Sequence, residues 1–151
     1  MSLTAFLLAA TLSGAALPQQ TPAPAAPATA PVLPPLTTPP HDVTLLAGAT
    51  PAPECGGLYG LQGRAWCVSA LLTQVGGLAD AYINDLKARG WLVAAGDANR
   101  VVLIRRKPDG TCEGLQMQAF YDTSAAPSPT SPGFLGFGVV PGDVCAGQTA
   151  P

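Results

Sequence analysis

The first forty residues contain no Asp, Glu, Lys, Arg or His, and the 151-residue chain has a single histidine, His41. Positive charge is scarce throughout, with seven Lys and Arg in all and a net charge of −2. A nucleic-acid partner calls for a clearly basic domain, so this composition argues against one. One histidine also leaves little for general acid–base chemistry, which needs a titrating group held against a nucleophile. The neighbours of Ser69, Cys67-Val68-Ser69-Ala70-Leu71, show no Gly-x-Ser-x-Gly elbow. Asp80 and Asp85 point about 140° apart at 3.6 residues per helical turn, so they do not form a carboxylate pair. The sequence nominates no catalytic residue.

Close cysteine pairs are missing as well. Cys55, Cys67, Cys112 and Cys145 are 12, 45 and 33 residues apart, whereas structural zinc sites use at least one close Cys-x2–4-Cys pair. A copper site takes several imidazole, thiolate or thioether ligands. His41 and Met117 fall short of that unless a partner chain supplies more, so no metal site or cofactor is expected, with His41 as the candidate ligand were one to form. Four cysteines fit an oxidising compartment and two disulfides. Of the three connectivities, Cys55–Cys67 with Cys112–Cys145 is favoured because each joins neighbouring segments.

The charge-free start has two parts. Leu3 to Leu17 is a largely apolar run of fifteen residues, short of the roughly 20 needed to cross a bilayer as a helix. Small residues at Ser13-Gly14-Ala15 suit cleavage after Ala15, so 1–15 reads as a signal-like segment, although no Lys or Arg precedes it. It is also the only expected membrane contact, should it stay uncut. Pro18 to Pro40 holds nine prolines in twenty-three residues. Proline lacks the backbone N–H, so 16–41 is expected to run extended as a semi-rigid spacer reaching roughly 70 Å, or to serve as a proline-rich ligand for a partner.

All sixteen charged side chains and all four cysteines lie from Asp42 to Cys145, which sets a folded domain at 42–146 and a tail at 147–151. Strands are predicted over Val43–Ala47, Ala65–Val75, Trp91–Ala95, Val101–Lys107, Thr111–Tyr121 and Phe134–Val140. Leu115, Met117, Ala119 and Tyr121 should face the helix, and Gln116 and Gln118 the other way. Gly76-Gly77 should break the second strand. The helix is predicted from Leu78 to Arg89, where Leu78, Tyr82 and Leu86 form an apolar stripe and Gly90 supplies a left-handed stop. Turn signals stand at Gly96-Asp97-Ala98-Asn99 and Pro108-Asp109-Gly110. This order predicts an α+β domain, an antiparallel sheet of five to six strands covered by one helix.

Two strands, a helix carrying a Tyr and ending in Leu86-Lys87-Ala88-Arg89-Gly90-Trp91, then two hairpin-linked strands resemble small exported bacterial α+β envelope domains. The resemblance implies export and carries no catalytic residues.

Five of the seven positive charges lie from Arg89 to Lys107. Arg100, Arg105, Arg106 and Lys107 are candidates for contact with an anionic lipid or glycan, or charges that discourage edge pairing. Alternation sends Arg105 and Arg106 to opposite faces. The apolar last strand is either internal or, through Phe134, Leu135 and Phe137, an interface. Together these features predict an exported, non-catalytic accessory domain in the periplasm or envelope of a bacterium, held to a larger envelope protein or complex through 16–41. The alternatives are a small redox or copper-type protein completed by partner ligands, and a binder of anionic glycan or lipid.

Overall fold

A computed structural model describes residues 33–146. The signal-like segment, the first part of the spacer and the tail beyond residue 146 lie outside the described residues.

The strands are β1 (Thr50–Pro51), β2 (Trp66–Leu71), β3 (Leu92–Gly96), β4 (Arg100–Arg106), β5 (Cys112–Tyr121) and β6 (Pro132–Val140); the helix is α1 (Val75–Ala88). They form one six-stranded antiparallel sheet in the order β1-β2-β6-β5-β4-β3. β3 to β6 make a meander. α1 carries the chain from β2 to the far edge, and β6 returns to pair with β2. The last strand is therefore internal, flanked by β2 and β5.

α1 buries Val75, Leu78, Tyr82 and Leu86 against the sheet, three or four residues apart as a helical stripe requires. The Tyr82 ring lies 4.8 Å from that of Phe137, which also meets Trp66 at 5.6 Å. The Tyr82 hydroxyl accepts the Leu46 N–H at 3.3 Å, so the ring is buried while its polar tip is satisfied. Leu115 and Met117 join this core, and Ala119 packs on it. Tyr121 does not, and stays partly exposed at the end of β5.

The sheet's other face has its own small core of Cys55, Ala65, Cys67, Phe120 and Phe134. The loop between β1 and β2 covers it, secured by the Cys55–Cys67 disulfide. Cys112–Cys145 ties the chain end to the start of β5. Both bridges follow the expected pairing and fit an oxidising compartment.

Three local expectations give way. Val43–Ala47 is not a strand, because its polar groups bond elsewhere: Val43 N–H to Pro40 O, Leu46 N–H to the Tyr82 hydroxyl, and Leu46 O to Ala49 N–H. Gly76 and Gly77 lie within the first turn of α1 instead of ending β2. Glycine costs a helix only about 1 kcal/mol per residue, less than the anchoring of Val75 and Leu78 in the core returns. The spacer is also shorter than 16–41. Leu33 O accepts the Gln62 amide at 3.1 Å, and a Cβ on Gly63 would collide with Leu33 and Pro34. Residues 33–41 thus belong to the folded unit.

Candidate functional site

The densest polar cluster forms where the proline-rich arm meets the sheet. α1 ends in two bonds, Trp91 N–H to Leu86 O at 3.1 Å and Gly90 N–H to Lys87 O at 3.1 Å, with Gly90 at φ 87°. This paired closure satisfies the last carbonyls and turns the chain sharply. It drives Trp91 into the core, where it is fully buried beside Leu86. On the adjacent hairpin, the turn at Pro108-Asp109-Gly110 sets Arg105 opposite Glu113 on the face that carries α1.

Arg105 holds the cluster together. Its guanidinium donates to Glu113 Oε1 at 2.7 Å and to Asp42 Oδ2 at 2.8 Å, and stands 4.6 Å from the centre of the Trp91 ring. Trp91 Nε1 donates to the other Asp42 oxygen at 3.1 Å. His41 Nδ1 lies 3.1 Å from Glu113 Oε2, and its ring is 5.3 Å from Trp91. Arg89 donates to Asp42 O, to Thr44 Oγ1 at 3.1 Å and to Asp85 Oδ1 at 3.0 Å. Asp85 Oδ2 also sits 3.0 Å from Arg89 but outside hydrogen-bond geometry, so it is held by charge alone.

Burial disfavours the charged form of both central groups, and their partners outweigh it. Hydrogen bonds from Trp91 and Arg105 hold the Asp42 carboxyl below its ordinary value. The Glu113 and Asp42 carboxylates push the Arg105 guanidinium up. Both stay ionised as an interlocked group at neutral pH.

The four cations proposed for anion contact each have an internal partner. Arg105 is committed as above, Arg100 pairs with Asp97 at 2.9 Å, Arg106 donates to Gly110 O at 3.0 Å, and Lys107 lies 3.7 Å from Asp109. They form no continuous patch, because adjacent strand residues face opposite sides. Phe134, Leu135 and Phe137 are at most 7% exposed, so the internal position of β6 removes them as an interface. The apolar free edge is β3 instead, where Leu92 and Val93 are 66% and 47% exposed. Ser69 is a strand serine whose hydroxyl lies 3.5 Å from Thr50 O.

Among the described residues, one group of metal-type ligands comes together: Cys112, Asp143 and Cys145. Its sulfurs are joined in the disulfide, and Asp143 Oδ1 accepts the N–H groups of both cysteines at 2.7 and 3.0 Å. The group is a capped bridge, not a metal centre. Met117 is buried in the core, and His41 is turned to Glu113.

Asp42, Trp91 and Glu113 were not singled out from the sequence as site residues. Glu113 was within reach, because a hairpin turning at Asp109 pairs it with Arg105. Asp42 had no such signal, since its contacts are tertiary. No protein-family model, curated protein or solved structure matches the chain.

Proposed function

We propose that this protein is an exported, non-catalytic accessory domain of the bacterial envelope, presented to a larger envelope assembly on its proline-rich arm. The observation that carries this reading is the clamp on the arm's root. Asp42 is held by Arg105, Trp91 and Arg89, and residues 33–41 lie on the domain. The last residues of the arm are thus fixed on the domain that it would tether. An oxidising compartment agrees with the two disulfides, and no helix of the described residues is long and apolar enough to cross a membrane. Arg89, Arg100 and Arg105 are paired with carboxylates of the domain, which favours a role in protein contact over one in anion capture. The β3 edge, with its unpaired backbone and exposed Leu92 and Val93, is the surface a partner would meet.

Photo-cross-linking from position 92 in the producing cells tests the reading. One discrete adduct to an envelope protein, with the domain recovered outside the cytoplasm in its disulfide-bonded form, is the expected result. A cytoplasmic, thiol-reactive protein or the lack of any discrete adduct would count it out.

A further inference from the structure

The cleft with the most developed chemistry lies away from the arm, at the end of the sheet where β5 outruns β4. β4 starts at Arg100, opposite Gln118, but β5 continues to Tyr121. Ala119 N–H donates to Asn99 O at 2.7 Å, and the Asn99 side-chain amide donates to Ala119 O at 3.3 Å. Bonding alternates along an antiparallel strand, so Tyr121 directs its own N–H and carbonyl to this same side, past the end of β4. The carbonyl accepts the Tyr59 hydroxyl at 3.0 Å, and the N–H faces the open notch. The cleft has a volume of about 380 Å³, within the range of small-ligand sites.

Tyr59 forms its wall. The residue is 61% exposed and adopts a left-handed backbone, φ 52°, unusual for a residue with a side chain. Its ring is held at both ends, by the hydroxyl bond to Tyr121 and by edge-on packing against Phe120 at 5.8 Å. Such strain persists only where the surroundings enforce it, and here the result is a rigid aromatic plate facing solvent. The Gln118 amide and Thr123 hydroxyl beside it have no hydrogen-bond partner among the described residues. No charged side chain lines the cleft.

We propose that this cleft binds a neutral sugar unit, with the pyranose C–H face on Tyr59 and its hydroxyls bonded to Gln118, Thr123 and the Tyr121 N–H. A flat aromatic face suits the apolar side of a sugar ring. An amide offers both a donor and an acceptor to neighbouring hydroxyls. The uncharged lining selects against acidic glycans, and a purely apolar ligand would strand the polar groups on binding. A proline-rich peptide would need a groove between exposed rings, but Phe120 is only 6% exposed and turned edge-on. The inference does not depend on the docking role proposed above.

The test titrates the ¹⁵N-labelled full chain with three uncharged tetrasaccharides, of the cello-, malto- and N-acetylchito-series, and separately with a proline-rich peptide. At least one sugar should shift the Tyr121 backbone amide and the Gln118 side-chain amide with a Kd of about 1 mM or tighter. Tyr59→Ala should weaken that binding about tenfold or more, and Tyr59→Phe, which keeps the ring and loses its tether, should fall between. Gln118→Ala should weaken it as well and leaves the Tyr59 backbone untouched, so a folding defect in Tyr59→Ala would not obscure the result. The proposal is overturned if no sugar moves these signals at about 10 mM, if both alanine variants bind like the parent, or if only the peptide moves them.

Discussion

Arg105 Nη1 lies 2.8 Å from Asp42 Oδ2, joining residues 63 positions apart in the chain. The contact links β4, the second strand of the meander, to the root of the proline-rich arm, above an indole that is itself bonded to the same carboxylate. Of the positive charges in this part of the chain, Arg105 and Arg89 thus serve to hold the root of the arm. The Arg105 guanidinium is not displayed for an outside anion.

Replacing Arg105 with Met should destabilise the domain by about 1–3 kcal/mol, between the values for exposed and buried pairs, because its partners are partly accessible. Lys should recover only part of the loss, since one ammonium cannot match the guanidinium fork that reaches both carboxylates. Urea unfolding at neutral pH measures both. A change below about 0.5 kcal/mol for Met would show that the cluster contributes little to stability.

The same cluster sets a pH dependence. Asp42 is a depressed carboxyl, so its contribution is fully present above the ordinary value of 3.8 and is lost as pH falls through its lower native value. The stability gap between the parent and Asp42→Asn should accordingly be flat from neutral pH down to the ordinary carboxyl range, and close below it. A gap that widened on acidification would contradict this assignment.

The two disulfides should differ in accessibility. Cys55 and Cys67 are fully buried in the second core, whereas Cys145 is half-buried near the chain end. Graded reduction with trapping by an alkylating agent should label Cys112 and Cys145 first. Loop length alone would make Cys112–Cys145 the more stabilising by about 1 kcal/mol. Removing Cys55–Cys67 should nevertheless cost at least as much, because its sulfurs fill a core position that paired alanines would leave empty. Mass mapping and denaturant melts of the two double-alanine variants check both statements.

Gly133 is a packing requirement. A Cβ there would meet Val75 and stand 3.2 Å from Leu72 Cα, a backbone atom that cannot rotate away. Gly133→Ala should cost about 1–3 kcal/mol through overpacking between β6 and the start of α1. Gly76→Ala, whose Cβ meets nothing within 4 Å, should be neutral or slightly stabilising in the helix. Thermal unfolding of the pair separates steric from propensity effects.

The chain's local signals were legible in proportion to how local their causes are. The α1 stripe of Leu78, Tyr82 and Leu86, the Gly90 stop, the turns at Asp97 and Asp109 and the alternation of Leu115 and Met117 all arise from spacing within a few residues. Each appears in the structure within a residue or a few of its expected place. Cysteine spacing likewise anticipated both disulfides. Gly76-Gly77 misled because its breaking tendency was overridden by burial of the residues on either side.

What the sequence alone determined was the α+β architecture, the oxidised state and the separation of a charge-free start from a charged domain, because hydrophobic period, turn chemistry and cysteine number act locally. Only the tertiary structure decided that β6 is internal, that residues 33–41 lie on the domain, that Arg105 is consumed by Asp42 and Glu113, and that Tyr59 stands as a plate beside the end of β5. Each of those depends on strand order and on contacts between distant segments, and such contacts are chosen by packing the whole chain at once.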